Sequence, residues 1–576
     1  MSKKNIMKKL IIALLTVLPM IATAQVKIPK DANRFTYWQF EYGETTDTSV
    51  ITVLRDGDRI TIVTPSPEGE LIPGYAQTTT IADYAADSIT VMTTYSDSAY
   101  YYCVPLSRSD LEWKMENGKW KTSVNSNTLM FEMDEKTPLN VNPLPHYGLK
   151  RGVLRSYTRN GQLRLQLAKA EKQHACSETL QLPNNGLRRV TPRELDRIMK
   201  ERLVVTTRIF DHEQICWGKE NAHIDGGVWD IPDDTVLHFA GGTLILKSVH
   251  LPVLPYHYQH FVELHQQSNG DAYDRTGSVF IIPDHAFPSF FDGINQHPDS
   301  LPVFIGRDGE RYQGIMVSSQ IEGYEPPLEL VRFFTPFGVG KFNERMKDFG
   351  IEWRNVAYYR QEITDLYRYT ESSKDGRVVI GAWIGNYDGG GHLLTMDIKS
   401  YPNNYTIDGD SDPNISIIPL FNTCNVLEMA GQNYGKLFGT DSLSVSFIIP
   451  SIAESASLRY ISTGHGGWGE GDEFVPKTNT ILIDGKVVFT HTPWRQDCGC
   501  YRDLNPVSGN FWNGLSSSDF SRSGWCPGTA TQPVYFDLMP WADGKEHTLT
   551  VAIPQGKPVE GMFSHWAVSG ALIIEY

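Results

Sequence analysis

Three loop segments of this chain carry residues able to do acid–base chemistry. The first, Asp271-Ala272-Tyr273-Asp274-Arg275, runs straight into a β-prone stretch at Gly277. Two carboxylates and a guanidinium at a strand entrance can set an acid or base beside a cation that keeps it ionised. By itself such a turn is more often a solvated ion pair than a catalyst. The second runs Gly464-His465-Gly466-Gly467-Trp468-Gly469-Glu470-Gly471-Asp472-Glu473-Phe474. Its glycines let a loop pack closely around a sugar, Trp468 offers a flat face to a pyranose ring, and Glu473 supplies a further acid on a loop carried by a rigid sheet. The third is Ser521-Arg522-Ser523-Gly524-Trp525-Cys526-Pro527-Gly528. An arginine on a disulfide-stapled loop offers a fixed donor fork to a carbonyl or carboxylate. The three together are far more specific than any one alone.

The elements that must position these loops are short strands. From about Val204 onward, β-prone runs such as Gly277 to Pro283, Arg377 to Ile384, Leu443 to Pro450 and Ala567 to Tyr576 alternate with Gly- and Pro-rich turns, the pattern of a sandwich or jelly roll. Ile481 to Ile483 and Val487 to Phe489 can pair across Asp484-Gly485, which places Glu473 on a loop feeding a hairpin. Phe35 to about Met133 reads as a separate β domain, with Asp56-Gly57 as a tight turn, and a Pro/Asn/Gly-rich linker follows. One helix is clear: Thr191 caps it, Pro192 opens it, Glu194 completes a capping box, and it reads as a connector. The expected fold is all-β, with an N-terminal accessory domain over 25–186 and two sandwich domains over 187–402 and 403–576.

The chain begins with a lysine-rich stretch, an apolar run from Leu10 to Ile21 and Ala22-Thr23-Ala24, the layout of a signal peptide (1–24) cleaved before Gln25. Export to the periplasm or the exterior is therefore expected, as a monomer without a transmembrane anchor. Net charge is −15, and loss of the leader's four lysines makes it −19, which disfavours nucleic acid as a partner. Seven cysteines in an exported chain permit disulfides, and none forms a Cys-x-x-Cys pair. Cys500 and Cys526 are expected to pair and to hold Arg522 in place.

On these segments the chain resembles the peptide:N-glycosidase F family. The match runs in order through Asp271, Asp274 and Arg275, then Trp468, Glu473 and Lys477 to Ile481, then Arg522 to Gly528. It covers roughly the last 370 residues, and an extra N-terminal domain occurs in a subgroup of the family. The resemblance implies two adjacent eight-stranded jelly-roll sandwich domains with the site at their interface, preceded here by the smaller β-rich domain. It implies Asp274 as the principal catalytic carboxylate, Glu473 as the second acid and Arg522 as a ligand of the amide region. Asp271, Arg275, Trp383, Trp468 and Trp525 are expected around the substrate. Two departures stand out: a glutamate of the type member falls on Gly381, and cysteines flanking its second acid fall on Gly471 and Val475.

The activity so implied is hydrolysis of the amide joining an N-glycan to asparagine, with N-glycosylated proteins and glycopeptides as partners. It requires an activated water, a polarised carbonyl and a proton for the departing nitrogen, and no metal or cofactor. Two other readings compete. An inactive glycan-binding protein needs the tryptophans but not paired acids. A copper-dependent monooxygenase-like enzyme could use His257, His260 and His265, although His257 and His260, three apart, fall on opposite faces of a strand.

Overall fold

The computed structural model describes residues 26–40, 48–64, 75–95, 98–173, 187–254, 258–283, 286, 288–296, 298–307, 309–313, 316–317, 323–337, 347–350, 354–371, 376–402, 414–430, 435–466, 471–506, 514–557 and 564–576. The chain forms two compact units, the first ending at Leu203 and the second starting at Val204.

The first unit is built on one twelve-stranded sheet. Arg34–Phe40 lies at its middle, flanked by Thr48–Asp56 on one side and Gln162–Glu171 on the other, both antiparallel. Alternation of apolar and polar residues buries one set of side chains, among them Phe35, Tyr37, Val53, Ile60 and Phe131. The Asp56–Arg59 pair closes a tight turn in which Gly57 takes φ 56°, conformational territory that favours glycine. The helix Pro192–Arg202 forms as its cap predicts, with the Glu194 amide donating to Thr191 Oγ1 at 3.1 Å. Its Leu195 and Ile198 pack on Val91, Tyr100 and Tyr102 of this sheet, and Leu187–Arg189 pairs parallel with Ala99–Pro105. The unit boundary thus moves from 186 to 203: strand and helix complete the N-terminal sheet instead of opening the first sandwich, because the helix's apolar face finds its partner there.

The second unit holds two β-sandwiches. The first stacks a four-stranded sheet containing Tyr258–Ser268 and His392–Pro402 on a six-stranded sheet containing Thr276–Ile282, Leu328–Phe334 and Arg377–Ile384. Leu328–Phe334 and Arg377–Ile384 are buried at every position, as strands covered on both faces must be. The second sandwich stacks a five-stranded sheet, with Ser455–His465 and His565–Glu575 central, on a four-stranded sheet. Short edge strands carry the sandwiches past eight strands each, and one of them, Ala530–Thr531, leaves the second segment to pair with Leu328–Phe334 of the first sandwich. The Asp484-Gly485 hairpin forms, both residues at positive φ.

A buried polar network fastens the sandwiches together. Arg332 and Glu329, with side chains 0% and 1% exposed, pair at 2.7 Å. Arg332 also donates to Thr463 Oγ1 (3.1 Å) and the Ala567 carbonyl (2.5 Å), while Glu329 accepts from Ser278 (2.7 Å) and Ser569 (2.5 Å). Arg459 of the second sandwich donates to the Glu329 and Leu330 carbonyls. Such an arrangement fixes orientation because each buried charge is stranded if the sandwiches shift.

Candidate active site

The Asp271–Arg275 turn connects the two sheets of the first sandwich. Thr335 clamps it: the Arg275 amide donates to Thr335 Oγ1 at 2.7 Å and Thr335 Oγ1 donates to the Tyr273 carbonyl at 2.7 Å. Asp271 faces inward and takes Arg275 Nε at 2.6 Å, with His392 Nε2 3.6 Å away. Burial alone raises the Asp271 pKa, but the nearby His392 imidazole and the hydrogen bond from Arg275 win and hold it down to about 2. Asp271 is therefore a permanent anion that aims Arg275, leaving Asp274 as the residue of this turn that can titrate usefully.

The glycine loop and the arginine loop, both from the second sandwich, are stitched to each other. Gly464 and Ser523 exchange a backbone hydrogen bond at 3.0 Å, the Ser523 amide donates to the Glu473 carbonyl at 2.9 Å, and Trp525 Nε1 donates to the Gly464 carbonyl at 3.0 Å. Asp472, fully buried, accepts from Trp566 Nε1 at 2.8 Å and pins the base of the loop. A Cβ at Gly464 would sit 2.7 Å from Trp566, so this close approach requires glycine. Trp468 lies outside the described residues.

All three segments meet at Arg522. Its side chain is 0% exposed, and a single nitrogen, Nη1, forms an ion pair with Asp274 Oδ2 at 3.0 Å and donates to Glu473 Oε1. The two carboxylate oxygens therefore lie within two hydrogen-bond lengths of each other, one from each sandwich. Arg522 Nη2 donates to the Ser517 carbonyl and hydroxyl at 2.9 and 3.0 Å, and the guanidinium stacks over Trp525 with 4.3 Å to the ring centroid. Asp274 and Glu473 keep 17% and 18% of their side chains exposed, enough to meet a substrate. Burial raises both pKa values against the pull of Arg522; Glu473, further raised by the negative Asp274, reaches about 7. Two carboxylates around one guanidinium are electroneutral with one proton between them, the composition of an acid–base pair.

Two expectations change. Trp525 is 3% exposed, wedged between Phe334 and Arg522, so it is the floor beneath the arginine and not a platform for sugar. The disulfide joins Cys498, not Cys500, to Cys526. Cys498–Tyr501 is a turn of 3₁₀ helix, where a residue two positions on points about two thirds of a turn away. Cys498 is buried with its Cα 5.1 Å from that of Cys526, and Cys500 is an exposed free thiol. Cys498→Ser should lower unfolding free energy by about 3 kcal/mol in a denaturant titration, by freeing the loop that carries Arg522. Cys500→Ser should leave the curve unchanged.

Beside the carboxylates lies a cavity of about 160 Å³ lined by Asp274, Arg275, Trp383, Tyr387, Asn425 and Glu428, among others. Trp383 lines it from strand Arg377–Ile384. Asn425 and Glu428 come from the loop after Ile415–Asn422 and carry no motif; only polar residues clustered past a strand end, Asn422-Thr423-Cys424-Asn425, could have marked them. His465 and His565, a stacked pair with centroids 4.7 Å apart, also line it. Burial pushes His565 down to about 4 and His465 well below its ordinary value, so both are neutral. Of the competing histidine group, His257 lies outside the described residues; among the described residues His260 bonds Ser400 and stacks on Tyr367, while His265 packs on Tyr358.

Comparison with known proteins decides the family. Residues 206–400 match the model of the peptide-N-glycosidase F N-terminal domain and 433–573 that of the C-terminal domain. The solved structure of PNGF-II is 35% identical, the alignment covering 95% of this chain and 98% of that one, with a TM-score of 0.61. The chain belongs to the peptide-N-glycosidase F family. The structure of PNGase F from Flavobacterium meningosepticum aligns over 65% of this chain and 96% of that one at 17% identity, with a TM-score of 0.40. Comparison with curated proteins finds no match.

Family membership sharpens the question of Gly381, where the resemblance leaves a carboxylate missing. A Cβ there would meet Phe280 at 2.5 Å, so no longer side chain fits without repacking. Glu428 brings a carboxylate to the cavity beside Asp274 from the other sandwich, where it accepts from Tyr387 Oη and burial pushes its pKa up.

Proposed function

We propose that the chain hydrolyses the amide between asparagine and the innermost N-acetylglucosamine of N-glycans, releasing the whole glycan and leaving aspartate. The observation that carries this reading is the Asp274–Arg522–Glu473 cluster, two carboxylates from different sandwiches sharing one guanidinium nitrogen, an arrangement that is electroneutral when the pair holds one proton. Ionised Asp274 takes the proton of a water that attacks the amide carbonyl. Glu473, protonated up to about pH 7, delivers its proton to the departing glycosylamine nitrogen. The glycosylamine then decays to a reducing sugar and ammonia. Arg522 orders the pair through Nη1 and supplies positive charge to the developing oxyanion. A sugar-binding protein has no use for this shared proton, which places that alternative second.

Export is part of the same proposal, since the substrates are glycoproteins and the leader pattern opens the chain; residues 1–25 lie outside those described. No helix among the described residues is long and apolar enough to cross a membrane. Incubation of the purified chain with a denatured N-glycoprotein should release intact glycans that carry both core N-acetylglucosamines. Glycans one N-acetylglucosamine short would establish a glycosidase instead, and no release would favour the binding protein.

A further inference from the structure

The loop beyond strand Ile415–Asn422 is hydrogen-bonded at nearly every step. The Asn422 side chain takes the Cys424 amide at 3.0 Å and donates to the Pro327 carbonyl at 3.1 Å, the Thr423 amide donates to the Val568 carbonyl at 2.8 Å, and Arg332 Nη2 donates to Cys424 Sγ at 2.9 Å. The Asn425 carbonyl accepts from the Glu428 amide at 3.1 Å. The Asn425 side chain is the exception. It is 7% exposed and lines the cavity beside Asp274, yet among the described residues neither Oδ1 nor Nδ2 has a partner. In the same cavity wall Trp383 is 3% exposed, and its Nε1 also has no partner among the described residues. A buried donor or acceptor left unmade costs about 1–3 kcal/mol, and an apolar residue of similar shape at 425 would avoid that cost. Such a cost persists where something outside the fold completes the bonding.

The missing partner can be described from these groups. Asn425 offers an acceptor and donors, Trp383 a donor only. A trans amide points its N–H and its carbonyl in opposite directions, so two separate protein groups are needed to satisfy it. The cavity, about 160 Å³, is an order of magnitude larger than the space one water requires. Within the substrate class proposed above, on which this inference rests, the 2-acetamido group of the first sugar is a trans amide one carbon away from the scissile nitrogen, which places it beside Asp274. We infer that Asn425 Oδ1 accepts the N–H of this acetamido group while Trp383 Nε1 donates to its carbonyl, making Asn425 the residue that selects N-acetylglucosamine at the bond cleaved.

The test uses two synthetic glycopeptides that differ only in the first sugar, N-acetylglucosamine in one and glucose in the other, with kcat/KM measured for each. The wild-type chain should prefer the acetamido substrate. Asn425→Leu should shrink that preference by at least about 10-fold, through the acetamido substrate alone, because the buried pairing that rejects the plain hydroxyl is gone. Its thermal midpoint should be equal or higher, since an unpaired buried carboxamide is removed. Asn425→Asp, which keeps the acceptor, should retain more of the preference, and Asn425→Ser should behave as the leucine variant if that one does not fold. A wild-type preference that Asn425→Leu leaves unchanged overturns this inference and makes the carboxamide a site for water. Release of neither glycan by the wild-type chain overturns the glycoamidase reading itself, and the inference with it.

Discussion

Asp274→Asn should lower kcat/KM for glycan release by at least about 100-fold, the usual scale for loss of a general base, while glycopeptide binding and fold persist. The substitution keeps the shape of the side chain and a carbonyl oxygen for Arg522 Nη1, now 3.0 Å away, but removes the basicity that activates water. The stability cost should be small or favourable, because burial already raises the pKa of this carboxyl and the neutral amide no longer has to be ionised there. Asp271→Asn, four residues before Arg275, should cost less activity and act by releasing Arg275 from its 2.6 Å ion pair. Equal losses at the two positions, measured under saturating and limiting substrate, would mean that the turn is structural and that its acids do no chemistry.

Glu473→Gln should produce a loss of similar size with a different pH signature. The carboxylate pair titrates jointly, so kcat/KM of the wild-type chain should rise as the first proton leaves and fall as the second leaves near pH 7. In the glutamine variant one ionisation is gone and the falling limb with it. The sign for stability runs the other way from activity. Glu473 has a folded pKa raised from 4.5 to about 7, so the folded chain binds more protons than the unfolded one between those values. Wild-type stability should decline as pH rises through that window, and the glutamine variant should not share the decline. Thermal melts at pH 5 and 8 would read this directly. The double variant Asp274→Asn/Glu473→Gln should lose less than the product of the two single losses, since both residues handle one proton.

The acid and arginine loops were legible in sequence because each concentrates unusual residues in a few positions. Glycines at 464 and 524 mark backbone approaches that no side chain permits, and Asp271, Asp274 and Arg275 sit on one tight turn. The hairpin at Asp484-Gly485 and the cap at Thr191 were legible for the same local reason. What sequence could not supply was the third dimension. Asn425 and Glu428 follow a strand of the second sandwich and reach the cavity only because the Arg332–Glu329 network fixes one sandwich against the other. Cys498 and Cys500 differ by their positions around a single 3₁₀ turn, and Trp525 differs from an exposed sugar platform only by what packs on it. The unit boundary at Leu203 followed from the partner of a helix face, which hydrophobic spacing alone does not name.

The central claim is that water replaces the sugar-bearing nitrogen at asparagine, and it is tested most directly by the mass of the peptide left after glycan release in oxygen-18 water. The expected site is heavier than asparagine by the exchange of an amino group for a hydroxyl, and heavier again by one oxygen-18 in place of oxygen-16. A peptide that still bears N-acetylglucosamine, or one that shows unmodified asparagine, would contradict it.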